Sequence, residues 1–353
     1  SKVLSFKTLM IIASLGVFVG CVYSSGMMEV ARKGIFNPGE FLFNEIMIIF
    51  MAVMITDILI LDLFNSWGLP TSTTVSIVFE LLGASVAMAL IKIGVDNGSF
   101  TDLATYINTS KATQIILGIL LSVFVAFSIG AIVQWVSRLL LSYDFKTKAT
   151  WVGSIFGGIA LTAISYFVLM KGIKGTSYAG ESFDLIGGMT IKDFLESNVI
   201  TIVTYSSIIW SLISFSLIRF FNVDIYKVII GAGTFALALA FAGNDLVNFI
   251  GVPIAAWQSY EAWVASGVAA NEFSMQVLAS KVPTPNFLLI IAGIVMVVTL
   301  WFSKKARRVV KTEIDLSTQG EVSERFNPNF LSRFIVMIGS SISTLFSKIL
   351  PSS

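Results

Sequence analysis

From residue 8 to residue 27 the chain carries no charge at all. A run of about 20 apolar residues is what a helix needs to cross the hydrocarbon core of a bilayer. Residues 115–135, 151–170 and 199–218 are equally free of charge. None of these runs alternates polar with apolar residues as a barrel strand would, and only helices and closed barrels satisfy every backbone group inside a membrane. They therefore predict helices. Residues 42–67 form a longer run containing Glu45, Asp57 and Asp62, and residues 75–93 a run containing Glu80 and Lys92. Residues 228–242 are short for a span, with apolar sequence resuming at Phe249 beyond a polar interruption, and 286–303 are the last clear span. The sequence thus predicts an all-α, polytopic transmembrane bundle of about eight spans. Residues 331–350, with Arg333 and Lys348 near the ends and five serines scattered through the segment, read as an interfacial helix.

Composition agrees and removes several function classes. Charged residues make up 12% of the chain, against about 25% in soluble domains, and 56% hydrophobic content excludes disorder. The lone cysteine, Cys21, supports neither a disulfide framework nor a cysteine metal site and reads as a small apolar filler. The absence of histidine removes the commonest general base and metal ligand, which weighs against an enzyme, and no organic cofactor is expected. A net charge of +2 gives no reason to expect nucleic acid. Residues 8–27 are too long for a signal h-region and lack a small-residue cleavage site. The excess of basic residues around Lys304, Lys305, Arg307, Arg308 and Lys311 places Ser1 on the cytoplasmic side of a cell membrane, expected to be bacterial.

Of the seven prolines only Pro70 and Pro253 lie against membrane-depth sequence, each beside a polar cluster. One cluster runs Trp67-Gly68-Leu69-Pro70-Thr71-Ser72-Thr73-Thr74, the other Ala242-Gly243-Asn244-Asp245-Leu246-Val247-Asn248. Proline removes a donor and disfavours helix in the residue before it, so both segments are expected to be discontinuous helices lining a transporter's binding site. Thr71, Ser72, Thr73 and Thr74, at the first turn of a new helix, offer hydroxyls and backbone N–H groups at a positive dipole end, which suits an oxyanion such as phosphate or sulfate. Asn244, Asp245 and Asn248 offer hard oxygens for a small cation such as Na⁺, or a protonatable coupling site. The blander readings are a plain N-cap and first turn for the first cluster and a helix C-cap for the second. Intramembrane Asp57, Asp62 and Glu80 are functional candidates in their own right, with Lys92 an alternative partner for Glu80. Gly153, Gly157 and Gly158, together with the hydroxyls of residues 199–218, read as helix-packing positions.

At these two clusters the sequence resembles the inorganic phosphate transporter family of sodium- or proton-coupled symporters, whose two inverted repeats each carry a G-A-N-D-V-A-N-type and a P-V-S-T-T-H-type signature. The matching residues are Ala242 to Asn248, with Gly251 beyond, and Gly68 to Thr74. The chain departs from the pattern in three places: Val75 stands at the usual histidine, Ala242 and Gly243 are in swapped order, and Glu80 falls where the family has small residues. The resemblance implies phosphate on Thr71, Ser72, Thr73, Thr74, Asn244 and Asp245. It implies a cation, Na⁺ before H⁺, on Asp245, Asn248, Asn244 and Glu80, with Asp245 and Asn248 the Na⁺ ligands, in a chain that works in a lipid bilayer and can pair as a homodimer. It divides the chain into the latter part of a first repeat (1–112), connecting helices (113–227), the start of a second repeat (228–311) and a cytoplasmic linker with an amphipathic helix (312–353). A further Asn-Asp signature ahead of Ser1 and a further Pro-x-Ser-Thr signature after Ser353 are expected on the same ground. Residues 9–13 and 288–292, Leu-Met-Ile-Ile-Ala and Leu-Leu-Ile-Ile-Ala, are candidates for equivalent first helices of the two repeats. A transporter for another oxyanion and a non-transporting membrane subunit are the competing readings.

Overall fold

The computed structural model describes residues 4–22, 35–141, 150–174, 187–279 and 285–316, with a few isolated positions besides. The described residues are almost wholly helical. The main helices are α1 (Phe6–Val22), α2 (Phe43–Trp67), α3 (Thr73–Val95), α4 (Thr109–Leu141), α5 (Trp151–Lys174), α6 (Ile191–Ser197), α7 (Val199–Phe221), α8 (Ile225–Ser266), α9 (Asn286–Phe302) and α10 (Lys304–Leu316). Each of the eight apolar runs is helical where it is described. Six are long and apolar enough to cross a membrane, α9 becomes a seventh if its bent continuation is counted with it, and α1 is a shorter apolar helix. The protein is a multi-pass membrane protein. The chain divides into two units, Ser1–Val310 and Lys311–Ser353. The expected interfacial helix at 331–350 falls largely outside the described residues.

α2 and α3 form a hairpin whose tip follows from local chemistry. Gly68 ends α2 in the left-handed region, at φ 66°, and the N–H of Leu69 reaches back to the carbonyl of Phe64 at 2.9 Å. This closure needs a residue without a Cβ. Pro70 then bars further helix, and Ser72 caps α3 by accepting the N–H of Val75 at 3.3 Å. Each helix buries one stripe: Phe43, Ile46, Ile49, Phe50, Val53, Asp57 and Leu61 on α2, and Ile77, Val78, Leu81, Ser85, Met88, Ala89 and Ile93 on α3. The second half of α8 packs into the same core through Val252 and Ala255, and Trp263 stacks on Phe43 with ring centres 4.6 Å apart.

The open end of this hairpin is closed by three connecting segments. Phe36 bridges to Ile107 and Leu42 to Ser274. The N–H of Asn37 donates to the carbonyl of Tyr106 at 2.8 Å and that of Met275 to the carbonyl of Phe41 at 3.0 Å. Ile35, Phe36, Phe41, Met275 and Leu278 are fully buried there. Lys92 ends its long side chain under this cap. It donates to Glu45 at 3.0 Å and to the carbonyl of Glu40 at 2.9 Å, over the rings of Phe41 and Tyr106. Glu45, not Glu80, is therefore the partner of Lys92.

A second core joins α1, α8 and α9 around Cys21, Ala242, Leu246, Ile254 and Leu289. Cys21 is fully buried, the filler expected of it, and its thiol donates to the sulfur of Met296 at 3.5 Å. The two segments likened in sequence, residues 9–13 and 288–292, fall on α1 and α9, which have 17 residues each. These helices run antiparallel: Ser14 accepts from the indole N–H of Trp301 at 2.8 Å, while Cys21 meets Met296. The glycines of α5 also serve as expected. A Cβ on Gly157 would stand 2.9 Å from Ser214, and one on Gly158 would collide with Ser211, so backbone and hydroxyls of α5 and α7 touch directly.

The expected break at the second polar cluster is not there. α8 runs unbroken through Asn244, Asp245 and Pro253 for 42 residues, about 63 Å at 1.5 Å per residue and twice the thickness of a bilayer core. Proline deletes one N–H and the asparagines compete weakly for backbone groups. Packing of Ala242 and Leu246 against α1 and α9, and of Val252 and Ala255 against the hairpin, holds both halves helical across these positions.

Candidate functional site

The two polar clusters, about 170 residues apart in sequence, meet. Thr73, first residue of α3, donates its hydroxyl to Oδ1 of Asp245 at 2.6 Å, a short contact at a part-buried position. Asp245 lies at the midpoint of α8, about 30 Å from either end. Its carboxylate also stands within electrostatic reach of the Cys21 thiol.

The four hydroxyls of the first cluster are not equivalent. Ser72 is engaged as the N-cap, so the plain capping role is real for that residue. Thr73 is engaged by Asp245. Thr71, Ser72 and Thr74 are exposed and face outward from a helix N-terminus, where N–H groups and the helix dipole favour an anion. The backbones of Asn244 and Asn248 belong to α8, but the side chains of these two residues lie outside the described set.

Of the three acids singled out on the hairpin, Asp62 pairs with Lys305 at the start of α10. Arg308 donates to the carbonyl of Ser66 at 3.3 Å, so the basic cluster seats two residues on the last turns of α2, where cations complement the helix dipole. Glu80 accepts from Ser76 at 2.7 Å through one oxygen, while the other, Oε2, is sealed from solvent with no hydrogen-bond partner. Asp57 is 6% exposed on the buried stripe of α2. No group of three or more histidine, cysteine or carboxylate side chains suited to a metal occurs among the described residues.

A many-helix membrane protein, its two polar clusters joined across the bundle by a hydroxyl and a carboxylate, has the parts of a membrane transporter, and the family match places it there rather than among enzymes. The model of the phosphate transporter family matches residues 1–344, and the chain belongs to that family. Three proteins provisionally named phosphate permeases share 24% identity with it. The one from Pyrococcus horikoshii aligns over 95% of this chain and 74% of its own length, that from Pyrococcus furiosus over 94% and 72%, and that from Pyrococcus abyssi over 95% and 75%. Among solved structures, one described as the sodium-dependent phosphate transporter superposes with a TM-score of 0.57 at 18% identity, covering 88% of this chain and 70% of the other. That likeness establishes a shared fold.

Proposed function

We propose that the chain moves inorganic phosphate across a cell membrane by cation-coupled symport, with Na⁺ as the coupling ion. The observation that carries this reading is the 2.6 Å contact between Thr73 and Asp245. It sets a carboxylate one hydrogen bond from the hydroxyls and helix N-terminus that would receive the anion. An oxyanion about 4 Å from a bare carboxylate is repelled by roughly 4 kcal/mol at an effective dielectric of 20. A cation held by Asp245, with Asn244 and Asn248 as further ligands, reverses that sign. Phosphate on Thr71, Ser72, Thr73 and Thr74 then binds well only when the cation is present, which is the physical content of coupling. The absence of histidine, including at Val75, supports Na⁺ over H⁺.

The test is uptake of labelled phosphate into vesicles containing the full-length protein. Asp245→Asn should abolish Na⁺-driven uptake while expression stays normal, and unchanged uptake would reject the role of Asp245. Uptake that follows pH and ignores Na⁺ would overturn the choice of ion. Equal competition by sulfate would move the assignment from phosphate to oxyanions in general.

A further inference from the structure

The cations of α10 divide into two sets. Lys305 pairs with Asp62 and Arg308 donates to the carbonyl of Ser66, so both are turned onto the hairpin. Arg307 is turned back instead. Its guanidinium donates to the carbonyl of Trp301 at 2.7 Å, over the last turn of α9. The bend of 71° between α9 and α10 lays α10 across the end of the span rather than along it, and Arg307 is exposed there.

Below this guanidinium an apolar groove of about 340 Å³ runs between α1 and α9. Ile11, Leu15 and Phe18 wall it on one side and Ile294, Val298 and Trp301 on the other. The five aliphatic and phenyl side chains are between 37% and 56% exposed, so the groove opens outward from the helix pair. No carboxylate is among its lining residues. From Ile11 to Phe18 the wall is about 10 Å long, against roughly 15 Å for the hydrocarbon depth of one leaflet.

A second cation stands at the same end. Lys7 precedes Ile11 by four residues, Leu15 by eight and Phe18 by eleven, which puts it on the groove-lining stripe of α1. The helices are antiparallel and meet where Ser14 accepts from the indole N–H of Trp301. Lys7, two turns before Ser14, therefore lies about 10 Å beyond that contact, on the side where α9 gives way to α10. It too is exposed. An indole at the boundary with cations just outside it is the arrangement that marks a headgroup level.

We propose that this groove and its cationic rim bind one anionic phospholipid. An acyl chain lies along the α1–α9 wall, and the headgroup phosphate sits between Lys7 and Arg307. Basic pockets at the ends of membrane helices suit such headgroups, and the fork of arginine matches a phosphate oxygen pair. A soluble anion gains nothing from 10 Å of apolar wall. An acidic peptide would bring backbone groups that a wall of this kind cannot satisfy. A zwitterionic lipid carries a cation of its own toward the two basic side chains. The lipid touches both α1 and α9, and its binding is independent of which ion drives transport.

The experiment is native mass spectrometry of the purified full-length protein in detergent, offered dioleoylphosphatidylglycerol and dioleoylphosphatidylcholine in equal amounts. The wild type should retain one phosphatidylglycerol. Two cations worth about fivefold each give a preference of roughly 25-fold. Lys7→Gln and Arg307→Gln should each lower it about fivefold, and together they should bring it to parity. Leu15→Trp, which fills the groove, should release the lipid. Lys305→Gln, on the same helix but turned to Asp62, should leave the preference unchanged. An equal loss in Lys305→Gln and Arg307→Gln would show that only total surface charge matters and would overturn the proposal. Equal retention of the two lipids by the wild type would also overturn it. So would the absence of any retained lipid, which would mean that another part of the chain covers the groove, or displacement of the lipid by millimolar inorganic phosphate, which would mark a site for soluble anions.

Discussion

Replacing Gly20 by alanine adds one methyl group where the structure has no room for it. A Cβ at Gly20 would stand 2.2 Å from the carbonyl oxygen of Leu239 on α8, 2.9 Å from its carbonyl carbon and 3.0 Å from its Cα. One turn earlier, a Cβ at Gly16 would meet the carbonyl oxygen of Phe235 at 2.5 Å and Cβ of Ala238 at 2.8 Å. The obstructing atoms at Gly20 are all backbone, so no rotamer change relieves the clash, and α1 must retreat by about 1 Å to restore ordinary contact. Overpacking of this kind costs roughly 1–3 kcal/mol. Alanine returns up to about 1 kcal/mol through its better helix propensity, leaving a net loss of about 1–2 kcal/mol, a five- to thirtyfold fall in the ratio of folded to unfolded protein. Gly118 on α4 is the control, because nothing lies within 4 Å of a Cβ placed there. Gly118→Ala should stabilise the chain by roughly 0.5–1 kcal/mol. Reversible unfolding in mixed micelles, titrated with sodium dodecyl sulfate, reads both. Opposite signs are expected. Equal effects at the two glycines would refute the close crossing of α1 and α8, and with it the buried environment of Cys21 beside Asp245.

Ser72→Ala should cost about 1 kcal/mol through loss of the N-cap, while Ser72→Gly should cost only a few tenths; if both raise the half-saturating phosphate concentration alike in uptake assays, the hydroxyl contacts the anion as well as the backbone. Thr73→Val and Asp245→Asn, taken singly and together, should show a coupling energy of about 1.5–3 kcal/mol in unfolding titrations, the range for a hydrogen bond to a charged group, and additive effects would show that the contact is not made in solution. Lys92→Met should destabilise by roughly 2–3 kcal/mol, because it leaves the half-buried Glu45 without its cation, and adding Glu45→Gln should recover part of the loss. Lys305→Met should change stability by less than about 1 kcal/mol, since that pair is 46% and 60% exposed, and a larger effect would mean that α10 is held chiefly through it.

The helical fold was legible because the bilayer demands long uncharged runs, and all eight are helical where they are described, although the run 228–242 is part of a helix reaching Ser266 and the run 115–135 part of one spanning Thr109–Leu141. The first polar cluster was legible for the same kind of reason: Gly68, Pro70 and Ser72 each do one local job that their chemistry dictates. Pro253 and the Asn244 cluster misled, because their local preference against helix is worth a few kcal/mol and the packing of α8 on both cores overrides it. The cap built from residues near Phe36, Ile107 and Met275 was not legible. Its segments are short, aperiodic and far apart in sequence, and only long-range burial gives them structure. That Lys92 chooses Glu45 over Glu80 was likewise a matter of which end of the hairpin each residue reaches, a fact that spacing alone leaves open. That the two clusters meet was expected from their complementary chemistry; that they do so through a direct hydrogen bond from Thr73 to Asp245 was not.

Cys21 is the single cysteine of these 353 residues and is buried between α1 and α9 against Met296, so within this stretch a thiol-reactive probe has one destination. Its rate of attachment becomes a clock for the parting of those two helices, readable while phosphate and sodium are varied and without altering a residue.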